Sequence, residues 1–194
     1  MCHAARYTSV RRWTMLRKNN LKLIKSAFPK PEGRVALVTG AARGIGAATA
    51  VALAHRGIAC VLAVRNPDAA RATADAVMKL GVACKIEACD VADYASVQRC
   101  IASVLEAWGR LDIVINNAGQ IEPQVPLAQT EPTEWARAIS VNLVGPYNVI
   151  HAALPELLRR QGAIVNVSTG AARWLVGILQ FESRTLYAEP LCTQ

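Results

Sequence analysis

Arg34-Val35-Ala36-Leu37-Val38-Thr39-Gly40-Ala41-Ala42-Arg43-Gly44-Ile45-Gly46 decides the fold. Its first six residues are an apolar run that reads as a strand. From Gly44 to residue 56 the spacing is helical and Ala-rich, and Gly57 closes it. Gly40, Gly44 and Gly46 join the two. A strand that turns into a helix through glycines opens a βαβ unit. Such a turn suits an anion, because the unpaired N–H groups of a helix start carry partial positive charge. Gly40 allows a tight turn, Gly44 a close backbone approach, and Gly46 the packing of helix on strand. The turn, with Arg43 and Ile45 inside it, is therefore a candidate cradle for a dinucleotide pyrophosphate. A P-loop is excluded, since no Gly-Lys-Ser/Thr follows.

The same alternation continues outward. Residues 58–64, 82–88, 111–115 and 163–167 read as strands. Residues 67–80, 93–108 and 133–160 read as helices, the last with bends at Pro146 and Pro155. Continuous apolar strands separated by long helices predict an α/β fold, a Rossmann-like doubly wound parallel sheet covered on both faces. The chain divides into three zones: a basic N-terminal extension over 1–31, a nucleotide-binding domain over 32–173, and an aberrant C-terminal tail over 174–194.

The net charge of +8 suggests nucleic acid until it is located. Residues 1–30 hold eight Lys/Arg and no acid, and the remaining 164 hold 14 basic and 14 acidic residues. The folded part is neutral, so a nucleic-acid partner is not expected. Two readings of the arm stay open: a mitochondrial transit or surface-binding segment, or translated upstream sequence before a later start such as Met15. No apolar run is long enough to span a membrane. The six cysteines (Cys2, Cys60, Cys84, Cys89, Cys100 and Cys192) show no CxxC spacing, which predicts free thiols in a reducing compartment. His3, His55 and His151 lack ligand-spaced partners, so no metal site is expected. The expected location is cytoplasmic, with the mitochondrion the alternative if the arm is a transit peptide.

Further motifs come after the glycine turn in a fixed order: Asp90-Val91 after the third strand, Asn116-Asn117-Ala118-Gly119 after the fourth, and Asn142 within the long helix. Together these residues resemble the short-chain dehydrogenase/reductase family over about residues 33–173. The resemblance implies a seven-stranded sheet in the order 3-2-1-4-5-6-7, of which this chain supplies five strands. It also implies an adenine contact at Asp90 and Val91. Asn117, Ala118 and Gly119 are implied to border the cofactor, and Asn142 to be the helix asparagine of the catalytic set. The implied activity is hydride transfer between a nicotinamide dinucleotide and a carbonyl or alcohol substrate.

The end of the second strand bears on the cofactor. An acid there would hold a ribose 2′-hydroxyl, and an arginine favours a 2′-phosphate. The strand ends Val61-Leu62-Ala63-Val64-Arg65 without an acid, and Arg43 is a second cation nearby. NADP(H) is expected in preference to NAD(H).

The catalytic end departs from the family. The resemblance implies a tyrosine acid/base, a lysine four residues later that lowers its pKa, and a hydroxyl about 13 residues earlier. Thr169 falls at the hydroxyl position, with Ser168 beside it. Thirteen residues later stands Glu182, and the last lysine is Lys85. No Tyr-x-x-x-Lys follows the fifth strand. A free tyrosine near pKa 10 is a poor base at neutral pH, so the chain as written is expected to be inactive. The alternative is a non-catalytic NADP(H)-binding protein. Read one nucleotide later, codons for residues 174–185 permit Gly-Trp-Ser-Ala-Tyr-Cys-Ser-Ser-Lys-Ala-Ala-Leu. That string contains the missing motif and suggests a frameshift near residues 173–174, which the coding DNA tests. The family's homo-oligomer is not expected, because some of its interface elements are missing.

Overall fold

The structure is a computed structural model, and it describes residues 33–121, 125 and 127–168. The N-terminal extension, Thr169 and the tail over 174–194 lie outside the described residues. Five strands, β1 (Val35–Thr39), β2 (Ala59–Val64), β3 (Cys84–Ala88), β4 (Ile113–Asn116) and β5 (Ala163–Asn166), form one sheet in the order β3-β2-β1-β4-β5. Every pairing is parallel. The helices are α1 (Gly44–Ala54), α2 (Arg71–Met78), α3 (Tyr94–Trp108), α4 (Pro132–Ile139) and α5 (Gly145–Arg160). This is the expected doubly wound α/β fold.

The two faces of the sheet arise from strand alternation. Val35, Leu37, Val61 and Val114 face one way, into a core with Val97, Val104 and Trp108 of α3 and Val149 and Leu157 of α5. Val38, Leu62 and Ile115 face the other way, onto Ala50 and Ala54 of α1 and Ala74 and Val77 of α2. Every residue of β1 and β2 is buried, so these strands carry no polar alternation. β3 and β5 are the sheet's edges among the described residues and are partly exposed.

Two expectations about helices need correction. Residues 67–80 are a 3-10 turn (Pro67–Ala70) followed by α2. The long helix over 133–160 is two helices joined by a π-turn at Ser140–Val144, where the Gly145 N–H donates to the Ser140 carbonyl. The break sits just ahead of Pro146. Proline has no N–H for the carbonyl four residues back, that of Asn142, so a regular helix cannot close there. The helix α5 runs through Pro155.

Sheet order reverses at β1, whose neighbours β2 and β4 have helices on opposite faces. In such sheets the loops at the carboxyl ends part at this point and leave a crevice.

Candidate functional site

Thr39 ends β1 and holds the crevice together. Its side chain donates to the Ile115 carbonyl at 3.3 Å and accepts the N–H groups of Asn117 (3.0 Å) and Ala118 (2.9 Å). Asn117 Nδ2 returns a hydrogen bond to the Thr39 carbonyl at 2.9 Å. The glycine turn after β1 is thus pinned to the loop after β4. On the other side the Gly40 N–H donates to the Ala63 carbonyl of β2 at 2.9 Å.

The three glycines meet different demands. Gly40 has φ +65°, and a Cβ there would lie 2.9 Å from the Ala118 Cα. Gly46 has no room: a Cβ would lie 2.4 Å from Asn117 Nδ2 and 2.6 Å from the Gly40 carbonyl oxygen. Gly44 has φ +59° and nothing within 4 Å of a Cβ, so open space stands in front of it. The α1 helix starts there behind Arg43, which is extended and makes no side-chain cap, and its first turn contains no acid. The orphaned N–H groups of this helix start border the open space in front of Gly44, a fit for a phosphate.

The cleft has a volume of about 440 Å³. Gly40, Arg43, Gly44, Ile45, Arg65, Asp90, Val91, Asn117, Ala118 and Gly119 all line it. Of the cofactor residues expected from sequence, Gly46 alone lies behind the lining, where it lets α1 pack on the turn. Arg43 and Arg65 are exposed, and neither forms an ion pair among the described residues. Asp90 closes its own loop, accepting from the Ala92 N–H at 3.0 Å while its N–H donates to Ser96 Oγ at 3.1 Å.

Asn142 is buried in the π-turn. Its Oδ1 accepts from the Gln120 N–H at 2.7 Å, and its Nδ2 donates to the Gln120 carbonyl at 2.6 Å. It therefore fixes the backbone where the Asn117–Gly119 loop leaves the cleft. Asn116, buried at the end of β4, donates to Asn166 Oδ1 of β5 at 2.9 Å. Ser168 is exposed beyond β5 and does not line the cleft. Among the described residues no group of His, Cys, Asp and Glu could hold a metal, and no helix is long and apolar enough to cross a membrane.

Sequence reasoning assigned no role to Thr39 or Asn148. Asn148 Nδ2 donates to the Val91 carbonyl at 2.9 Å and ties α5 to the loop after β3. The available signal was an asparagine on the apolar face of a helix, a position that demands a polar partner.

A profile of the family described as short chain dehydrogenase matches residues 34–180. The short chain dehydrogenase mpl6 of Monascus purpureus is 44% identical over 154 residues, which cover 75% of this chain and 52% of that protein. NAD+-bound xylitol dehydrogenase superposes with a TM-score of 0.74 at 30% identity, covering 79% of this chain and 60% of the other. The alcohol dehydrogenase of the archaeon Thermococcus sibiricus, complexed with 5-hydroxy-NADP, gives 0.71 at 35% identity, covering 78% and 65%. The chain spans about half the length of the curated relatives it matches. With its sheet order, its glycine turn and the profile match over most of its length, this chain belongs to the short-chain dehydrogenase family.

Proposed function

We propose that the cleft binds NADP(H) in preference to NAD(H), and that the parent reaction is hydride transfer between NADP(H) and a small carbonyl or alcohol substrate. One observation carries the preference. Among the described residues Arg43 and Arg65 line the same cleft without ion-pair partners, and β2 ends without an acid. The nearest acid in sequence, Asp68, is exposed, pairs with Arg71 at 2.8 Å and does not line the cleft. The two solved relatives contain NAD and an NADP derivative respectively, so the fold accommodates both. The residues at the 2′-position then make the choice.

The turn Gly40–Gly46 and the start of α1 would take the pyrophosphate, Arg43 and Arg65 the 2′-phosphate, and Asp90 and Val91 the adenine. Asn117, Ala118 and Gly119 would border the other half of the dinucleotide. The bound cofactor would supply or accept the hydride. The chain's own part is to orient it and to manage a proton at the substrate oxygen. Ser168 and Thr169 are the hydroxyls proposed for that oxygen, and Asn142 supports the loop beside it. The proton is where the chain falls short, because no Tyr-x-x-x-Lys follows β5. The 194 residues are therefore proposed to bind NADP(H) without turning over by the tyrosine route. The second reading is a non-catalytic NADP(H)-binding protein. Its substrate class is a carbonyl or alcohol in the first reading alone.

Two assays test this. In a fluorescence titration, Arg65→Ala is expected to weaken NADPH binding roughly tenfold, the loss of one charge-assisted contact, with NADH little changed. In a reductase assay with a reactive dicarbonyl, no NADPH oxidation is expected. Turnover by this chain would overturn the reading of its proton chemistry.

A further inference from the structure

We infer that Thr73 is a positioning residue for the 2′-phosphate end of the cleft, because its hydroxyl fixes the backbone that carries Arg43 against the segment that carries Arg65. The inference rests on the reading of the cleft given above. Thr73 stands in α2 within Arg71-Ala72-Thr73-Ala74-Asp75-Ala76. Alanine, the best helix former, stands on either side of it, so threonine is a costly choice there on helix grounds alone. It is also buried, at 6% exposure, and a buried hydroxyl needs a partner. The partner lies 31 residues away: Thr73 Oγ1 donates to the Ala42 carbonyl at 3.3 Å.

Ala42 sits in the glycine turn and lines the cleft, immediately ahead of Arg43. Its carbonyl belongs to the same planar peptide as the Arg43 N–H, so holding the oxygen orients both. Arg65 follows β2, and from it the chain runs through Asn66 and the 3-10 turn over Pro67–Ala70 directly into α2. One tie between these two segments is backbone, from the Gly40 N–H to the Ala63 carbonyl at 2.9 Å. A single tie leaves a turn free to swing about it. The Thr73 hydroxyl supplies a second, next to Arg43 itself, and the two together brace the turn against the segment from β2 to α2.

Neither arginine has an ion-pair partner among the described residues, so each guanidinium is placed through its backbone. The separation of the two cations then follows from the two ties. That separation matters to a 2′-phosphate, which both cations hold at once. It matters little to a 2′-hydroxyl, which carries no charge for them to share. Thr73 does not line the cleft. It acts through Arg43, and its effect falls on the choice between NADPH and NADH.

The test measures Kd for NADPH and for NADH by fluorescence titration, on the full chain and its variants, with the urea midpoint of each. In Thr73→Val, which keeps the shape and removes the donor, the NADPH Kd is expected to rise roughly three- to tenfold, the worth of one hydrogen bond, with the NADH Kd little changed. Thr73→Ser keeps the hydroxyl and should retain the wild-type ratio of the two Kd values. In an Arg43→Ala background, Thr73→Val should change the ratio no further, because the group it positions is gone. Should Thr73→Val fail to fold, Thr73→Ala removes the same hydroxyl from a helix that favours alanine, and the same result is expected. A lower urea midpoint with an unchanged Kd ratio would make Thr73 purely structural and overturn the proposal. So would a ratio lost in Thr73→Ser, or an effect undiminished in the Arg43→Ala background. A wild-type chain that binds neither dinucleotide, or both equally, contradicts the reading of the cleft, and the proposal falls with it. A wild-type preference that survives in Thr73→Val contradicts the role of Thr73 alone, so the two failures are told apart.

Discussion

Gly44 and Gly46 stand two positions apart and are glycines for different reasons. At Gly46 a methyl group would strike Asn117 Nδ2 and the Gly40 carbonyl. Gly46→Ala is expected to destabilise the fold by about 1–3 kcal/mol, the usual cost of overpacking, read as a lower urea midpoint. At Gly44 the space is open and only the backbone objects, at φ +59°. Gly44→Ala should cost about 1 kcal/mol of stability, and its methyl group would stand in the cleft, so NADPH binding should fall further than stability does. Thr39 is the second residue of this kind. Thr39→Val keeps the shape and removes the acceptor for two N–H groups, at Asn117 and Ala118. A loss of about 2 kcal/mol is expected, together with weaker NADPH binding. The glycines were legible because their spacing against a strand and a helix is a local signal. The role of Thr39 was not, since its partners lie 76 to 79 residues away and only the β1–β4 pairing brings them near.

Elements were read well where burial was uniform and poorly where a helix changed type. β1 and β2 are buried throughout, and continuous apolar runs announced them. The π-turn before α5 left the apolar spacing of residues 133–160 intact, so periodicity could not show it. Pro146 carried the signal, and its effect falls on the turn before it. The β1–β4 seam shows how a charge serves an element. Asp112 precedes β4 and accepts the Val35 N–H at 2.7 Å, and Arg110 grips both its oxygens. Burial pushes this carboxyl up, but Arg110 and the Val35 N–H outweigh it and hold it below its usual value. A folded value below the unfolded one, about 3.9, stabilises above that pH and loses the effect as pH falls through the folded value. Asp112→Asn is therefore expected to lower the urea midpoint at pH 7. The gap to wild type should narrow as acid protonates the aspartate, and a pH-independent gap would contradict this role.

At the scale of the molecule, strand order places everything else. Because β1 is central and the order reverses there, the turn after β1, the end of β2, the loop after β3 and the loop after β4 meet at one cleft. Four motifs scattered from residue 40 to residue 119 become one surface, and their order in the chain made that surface legible. The proton-handling end was read from the sequence alone, since Thr169 and the residues after it lie outside the described residues. The claim that this cleft is built for NADP(H) is tested most directly by the Kd values of the unmodified, reduced chain for NADPH and NADH, measured side by side at low and high salt. Binding of NADPH about tenfold or more tighter than NADH is predicted, with the gap shrinking in salt because exposed guanidinium groups carry it. Equal Kd values, or tighter NADH, would contradict the roles given to Arg43 and Arg65.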